Sequence, residues 1–441
     1  MSSVRISLNE WERRGPDCDS QLAGRNLNGN EAARKLAARL TGRIEVLELV
    51  RGLELRATSF VGRFSLGDVT ITIHPKLTGA PFLNLLRYAY GLRDLDLYRT
   101  VGYAPAKWAF QDLLVQQLAA EAGELLARGV HRDYERTRGE LANPRGRIEF
   151  DRFVAMAHSG RPVLQCVHYP RTEDTVLNQV LLAGLVYGAR LTADIDLRAR
   201  LHRLTKTFST RVSLKNLDAK LIERAQRTMD RRTIAYKPAL VVIALLFERQ
   251  GVTLEGETNG VPLPGFLFDM NRFFQALISR FLHDHLEGCE VQDEDRLKEF
   301  FYYDPDRNPR RWKDPGQKPD FVIRRNRQIV AILDAKYRDL WEKKLPREML
   351  YQLALYALGQ GGNERKAVIL YPSLDSGARE QAILIREPIW RAPQPQVILR
   401  PVNLLELERL LRDKHWQIST RKMNFARYLS FGNSWQTREA L

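Results

Sequence analysis

Two aspartates fourteen residues apart, Asp320 in Pro319-Asp320 and Asp334 in Asp334-Ala335-Lys336, are the residues of this 441-residue sequence best placed by type and spacing for hydrolytic chemistry. The segment between them reads as a hairpin, with Phe321 to Ile323 and Ile329 to Leu333 flanking the polar run Arg324-Arg-Asn-Arg-Gln328. A turn centred near Arg327 sets Asp320 opposite Asp334, about 4.5–5.5 Å apart at Cβ. Two carboxylates at that separation repel, and a shared dication resolves the conflict. Alternation along the strand puts Lys336 on the face of Asp334 and turns Ala335 away, its carbonyl free near the same cation. Carboxylate and carbonyl oxygens completed by water suit Mg²⁺ or Mn²⁺, which can polarise a phosphodiester and acidify a bound water. Lys336 would orient that water or stabilise the charge that builds on the phosphate. The chemistry indicated is metal-dependent phosphodiester hydrolysis.

An acid-x-Lys triplet alone discriminates poorly. Asp218-Ala-Lys220, Glu342-Lys-Lys344 and Glu364-Arg-Lys366 also match it, and Leu-Asp-Ala-Lys occurs at both 217–220 and 333–336. Only the second copy ends an apolar, β-like run with a Pro-Asp at hairpin distance upstream; the first reads as the exposed start of the helical Leu221 to Gln226. Gln352 and Tyr356 fall four apart on the helical segment after the Asp334 strand, where they can reach phosphate or the lysine. A tyrosine filling the core beside a neutral glutamine explains that pair equally well. From Arg307 to Arg327 the chain carries eight Lys or Arg and two acids, with Trp312 among them, a composition suited to phosphate contact.

The elements that must position these residues divide the chain into three regions. Ile44 to Val50, Phe60 to Leu66 and Val69 to Ile73 alternate as strands, which defines a β-rich N-terminal module over residues 1–79. Residues 80–255 turn helical, as in Trp108 to Leu118 and Leu177 to Val186, and Gly251 to Pro264 makes the linker. From residue 256 to 441 the order is helix Phe268–Leu286 capped by Asp269, strands at Phe300–Tyr303, Phe321–Ile323 and Ile329–Leu333, helix Met349–Leu358 and strand Ala367–Tyr371. The fold class is multidomain α+β: a β-rich module, a helical middle and a C-terminal α/β domain. The tail beyond Arg386, with Trp390, Trp416 and Trp435 among many basic residues, reads either as packing against that domain or as contacting DNA.

Composition sets the outer limits. At 44% hydrophobic and 28% charged residues the chain is neither collagen-like nor wholly disordered. Its 69 Lys and Arg against 53 Asp and Glu leave a net charge of +16, which suggests a polyanionic partner. The longest apolar run, Ala239 to Phe247, is too short for a bilayer, and the first ten residues lack the apolar core of a secretory signal, so no membrane role and a cytoplasmic location are expected. Cys18, Cys166 and Cys289 lie too far apart in sequence for a CxxC zinc motif and are expected to be reduced.

At Asp320, Asp334 and Lys336 the sequence resembles the PD-(D/E)xK nucleases, and Gln352 with Tyr356 resembles their RecB-like QxxxY branch. A longer stretch, from about Ile71 to Tyr371, is similar to McrC, the nuclease subunit of McrBC-type modification-dependent restriction systems. It includes Ile73-His-Pro-Lys-Leu77, Ala127-Arg-Gly129, Pro144-Arg-Gly-Arg-Ile148, Glu173-Asp-Thr-Val-Leu-Asn178, Phe268-Asp-Met-Asn-Arg-Phe-Phe274, Gln317-Lys-Pro-Asp-Phe-Val-Ile323 and Ile332-Leu-Asp-Ala-Lys-Tyr337. The resemblance implies DNA, modified, as substrate and a separate AAA+ GTPase ring of McrB type as partner, docked through the N-terminal half. No GxxxxGK[ST] loop occurs here, in keeping with nucleotide hydrolysis by that partner. Where the family usually has a glutamate in the first nuclease helix this chain has Gln275, which offers a cation a carbonyl oxygen without charge. That departure keeps a non-catalytic activator and scaffold open as an alternative, beside a stand-alone repair nuclease.

Overall fold

The computed structural model describes residues 4–92, 110–149, 163–248, 265–295, 303–313, 318–360, 365–386, 394–413 and 417–432. They form a mixed α/β structure of several small sheets and a larger one of six strands. Two compact units divide them: residues 4–92 join residues 267–432 in one, and residues 110–266 make the other. The residues of the N-terminal module thus share a compact unit with those of the C-terminal domain.

Side-chain contacts explain that union. Helix Gly79–Tyr90 packs on helix Met270–His285, with Phe82 edge-on to Phe273 at 5.3 Å between ring centroids. Arg280 donates to the Tyr88 carbonyl at 2.6 Å, and the Tyr88 hydroxyl donates to Asp284 at 2.7 Å. Asn84 donates to Glu408 at 2.7 Å. Fully buried aromatic area shared between two segments favours one cooperative unit over two.

Strand Val4–Asn9 runs parallel to Val69–His74, which pairs antiparallel with Phe60–Leu66. The fourth strand, Gly265–Asp269, lies beside Phe60–Leu66. A separate sheet holds the hairpin Ile44–Leu49 and Gly52–Ala57 with Arg13–Arg14. Gly52 has φ +143°, and a Cβ there would stand 2.1 Å from the Leu22 carbonyl oxygen, so no other residue fits.

Residues 267–432 build on a six-stranded mixed sheet. Its order is Glu290–Asp293, Phe321–Arg325, Gln328–Ala335, Lys366–Ser373, Gln396–Asn403 and Gln381–Leu384. The first three are antiparallel, the next two run parallel to Gln328–Ala335, and the last returns antiparallel. Helix Arg347–Gln360 makes the crossover between parallel strands, and its Leu353, Tyr356 and Ala357 pack on Val322, Ile332, Ile369 and Val397. Helix Met270–His285 packs against Gln328–Ala335 as well, burying Phe273, Phe274, Leu277, Ile278, Phe281 and Leu282. Asp269 caps that helix as expected, accepting from the Asn271 N–H at 2.9 Å, but the helix begins at Met270 because Phe268 belongs to a strand.

The first strand of this sheet is Glu290–Asp293; the strand expected at Phe300–Tyr303 falls outside the described residues except for Tyr303. The Gly251–Pro264 linker and Trp390, Trp416 and Trp435 also lie outside them. Strand Gln396–Asn403 and helices Leu404–Arg412 and Gln417–Phe431 show that part of the tail beyond Arg386 belongs to the fold.

The second unit is less purely helical than expected. Helices Phe110–Arg128, Val176–Leu191, Ile195–Ser209, Ala219–Arg227 and Lys237–Glu248 are joined by short strands between residues 133 and 172. Asn178 is fully buried at its centre: its amide donates to the carbonyls of His131 and Glu173 at 2.9 and 2.7 Å, and its oxygen accepts from the Tyr236 hydroxyl at 2.6 Å. Glu173-Asp-Thr-Val-Leu-Asn178 thus ties loops to a helix. Asp218 of the first Leu-Asp-Ala-Lys copy caps helix Ala219–Arg227 by accepting from Leu221 at 2.7 Å, the exposed helix start expected for it. Among the described residues no helix is long and apolar enough to cross a membrane.

Candidate active site

The hairpin that brings Asp320 to Asp334 turns more tightly than the sequence suggests. Arg325 pairs with Gln328, leaving a two-residue turn at Asn326-Arg327, both with positive φ (50° and 67°). Such a turn alone would set Asp320 opposite Leu333. The register shifts by one between Ile323 and Arg324, where Ile323 pairs with Ala331 and Arg324 with Ile329, so Val330 is left over. This bulge restores the pairs Val322 with Ile332 and Phe321 with Leu333, and the next step along the ladder is Asp320 with Asp334. The expected opposition is met by a route the sequence reading did not contain.

Both aspartates follow the face of Val322 and Ile332, toward helix Arg347–Gln360. Asp334 is buried, and Lys336 Nζ lies 3.0 Å from its Oδ2 and 3.9 Å from Asp320 Oδ2. Asp320 is held from three sides. Its Oδ2 accepts from the Ala335 N–H at 2.7 Å, its Oδ1 from Gln275 Nε2 at 3.2 Å, and its carbonyl from the Glu294 N–H at 2.9 Å. Burial, then the charge of Asp334, pushes the Asp320 carboxyl up to about 6. Burial pulls Lys336 down, but Asp334 and Asp320 outweigh it and hold the ammonium above its ordinary value. Tyr356 is also raised, by burial and then by Asp334, so its hydroxyl keeps its proton; it accepts from Gln352 Nε2 at 3.0 Å.

The structure therefore gathers Asp320, Asp334, Ala335 and Lys336, with Tyr356 and Gln352 on the adjoining helix. Gln275 arrives differently from the expectation: the amide nitrogen, not the carbonyl oxygen, faces Asp320, and it also donates to Glu294 at 3.4 Å. Among the described residues no three of His, Cys, Asp and Glu converge as a metal-holding group. Two carboxylates still fit a Mg²⁺ or Mn²⁺ ion, which commonly keeps several waters and takes one or two protein acids. The crowding of Asp320 against Asp334 is the repulsion such an ion would relieve. The Ala335 carbonyl points to the same side of its strand as the N–H that meets Asp320.

Four contributors escaped the sequence reading. Glu294 has φ +49° and is tied to Asp320 through its backbone and through Gln275. Asn271 accepts from the Tyr337 N–H at 3.2 Å and donates to Ser59 at 2.6 Å. Trp11 and Met349 line, with Gln275, Asp320, Lys336 and Arg338, a cavity of about 360 Å³ over the site. None has a local spacing signal, since each meets the site only through folding. The basic stretch presents Trp312 57% exposed, braced by two hydrogen bonds with Asn308 and by Arg310 over its ring.

Behind Lys336, the Tyr337 hydroxyl donates to Glu10 at 3.0 Å, and the Lys76 N–H donates to the same oxygen. Burial pushes Glu10 up to about 7, against the lowering effect of these bonds. From about pH 4.5 to 7 the unfolded chain releases this proton while the folded one keeps it, so stability falls across that window and levels above it. The loss is on the order of 3 kcal/mol. Thermal melts at pH 5 and pH 8 should show Glu10→Gln losing less stability between them than the wild type; equal losses would assign the pH dependence elsewhere.

The fold is a mixed six-stranded sheet carrying paired acids and a lysine at the end of a hairpin. The family model "McrBC 5-methylcytosine restriction system component" matches residues 55–372, and the chain belongs to that family. A chain in the refined half-complex from a tetradecameric assembly of Thermococcus gammatolerans McrB AAA+ hexamers with bound McrC matches with TM-score 0.64 at 19% identity, over 96% of this chain and 100% of that one. A chain in the cryo-EM structure of the Thermococcus gammatolerans McrBC complex matches with TM-score 0.46 at 19% identity, over 64% of this chain and 87% of that one. No curated protein matches. At such identity the first likeness shows the fold.

Proposed function

We propose that this chain is the DNA-cleaving subunit of a McrBC-type restriction complex, which docks on and stimulates an AAA+ GTPase ring in the cytoplasm and hydrolyses phosphodiesters of modified DNA. The observation that carries this reading is the bulge-set register that places Asp320 and Asp334 side by side under Lys336. Asp320, Asp334 and the Ala335 carbonyl would hold Mg²⁺ or Mn²⁺, which supplies Lewis-acid activation of the phosphate and of water. Lys336 donates toward the attacking oxygen or the phosphate, its ammonium kept charged by both acids. Gln275 and the Ala335 N–H fix the rotamer of Asp320, and Gln352 with Tyr356 closes the site beneath Lys336. Arg310, Arg311 and Lys313 around the exposed Trp312 would contact DNA phosphates. The N-terminal module and the helical middle would carry the docking surface.

Gln275 favours a second reading, a GTPase activator that holds DNA without cutting it, because an uncharged amide stands where a third acid would strengthen the metal site. Reconstitution with the McrB-type partner separates the two. Cleavage of 5-methylcytosine DNA that requires both GTP and Mg²⁺ supports the nuclease; GTPase stimulation without cleavage under any divalent ion supports the activator.

A further inference from the structure

Trp11 sits at the third position of a β-turn closed by the Glu12 N–H donating to the Asn9 carbonyl at 3.1 Å, and its φ is +64°. That position ordinarily takes glycine or asparagine, and a bulky aromatic there is strained. The turn is nonetheless well determined. Trp11 N–H donates to the Thr58 carbonyl at 3.2 Å, and the Asn9 N–H and side-chain amide both donate to Glu12, at 2.7 and 3.2 Å. Strain held this firmly places the indole, which is half-buried rather than part of a core.

Trp11 lines two cavities of the same compact unit. One is the 360 Å³ cavity over Asp320 and Lys336; the other, of about 640 Å³, is lined by Trp11, Trp341, Arg338 and Lys76 and also by the acids Glu10, Asp339, Glu342 and Asp375, with Lys76 paired to Asp339 at 3.3 Å. The second is large enough for a nucleotide. Arg338 spans the two as well, its guanidinium 5.5 Å from the Trp11 ring centroid, and its buried Nε has no hydrogen-bond partner among the described residues. An aromatic ring with an arginine over one face, on the wall of the cavity that holds Asp320 and Lys336, is a combination that can stack a base on its other face and grip the adjoining phosphate.

We propose that Trp11 is a substrate-binding residue that stacks a nucleobase drawn out of the helix next to the scissile phosphate, with Arg338 holding the adjoining phosphate. This rests on the nuclease reading above. The N-terminal module then contributes a wall of the DNA site, so the assembly of residues 4–92 onto the C-terminal domain is needed for substrate placement.

The test uses the full chain with its GTPase partner and duplexes carrying an abasic analogue at each nucleotide flanking the cut. Wild type should lose about 10-fold or more in KM at one such position, with kcat little changed. Trp11→Ala should show that loss already on intact DNA and no further loss on the abasic duplex, while Trp11→Phe recovers most of it. Because each protein is compared with itself on two substrates, a general loss of stability cannot imitate this pattern. An equal abasic penalty in wild type and Trp11→Ala, or none in wild type, overturns the proposal. If the complex cuts nothing, quenching of 2-aminopurine in bound oligonucleotide decides: the proposal requires quenching by wild type and its loss in Trp11→Ala, and equal quenching overturns it.

Discussion

Asp334→Ala should reduce DNA cleavage by the assembled complex by on the order of 10³-fold or more. Asp334 is buried to 3% exposure and is the nearer acid to Lys336 Nζ, at 3.0 Å, so the substitution removes both a cation oxygen and the charge that steadies the ammonium. Asp320, at 3.9 Å and itself pushed up to about 6, cannot replace it. The residue is buried in the six-stranded sheet, so complex formation and GTPase stimulation should persist. Product formation measured beside GTP turnover gives both readouts. Undiminished cutting would remove Asp334 from the chemistry, and loss of both activities would make the residue structural.

Lys336→Met should have the second largest effect, roughly 10²-fold or more on cleavage, because one charged donor at the developing phosphate charge is removed. It carries a further physical signature. In the metal-free protein the ammonium neutralises one buried and one partly buried carboxylate, and removing one partner of a buried ionic group commonly costs about 3–5 kcal/mol. The variant should therefore melt well below wild type without divalent ions, and Mg²⁺ or Mn²⁺ should raise its melting temperature by more than it raises that of wild type. Lys336→Arg should melt close to wild type and still cut poorly, since a fork of donors does not match a point charge. A methionine variant whose melting is insensitive to metal would mean that the two acids do not attract a cation.

The parts of this site that were legible in the sequence are those joined by local spacing. Asp320 and Asp334 share a hairpin, Asp334 and Lys336 share a strand face, and Gln352 and Tyr356 share a helix face, so period and separation suffice to group them. Even there the turn was misread: Asn326 and Arg327 adopt left-handed backbone without glycine, and the Val330 bulge corrects the register that this turn would otherwise displace. Trp11, Asn271 and Glu294 were not legible, because their proximity to the acids is a product of tertiary packing. The same holds for the division of the chain. A change from β to helical period marks residue 79 well, yet the Phe82 and Phe273 contact and the Tyr88, Arg280 and Asp284 bonds join segments nearly two hundred residues apart.

The order of the C-terminal strands illustrates the remaining difficulty. Glu290–Asp293, which pairs Val291 with Ile323 and Asp293 with Phe321, is not among the strands expected from the sequence. Its charged residues face solvent at a sheet edge, where such side chains discourage pairing with other chains. Edge strands of that kind carry little apolar signal and are the elements that period alone finds least readily.

Calorimetric titration of Mn²⁺ into the purified full-length protein, wild type against Asp320→Asn and Asp334→Asn, tests most directly whether the two aspartates share one cation. Saturable binding of one ion to the wild type, weakened at least tenfold by either substitution, is the expected result. Wild-type binding that neither substitution alters, or no binding at all, would contradict it.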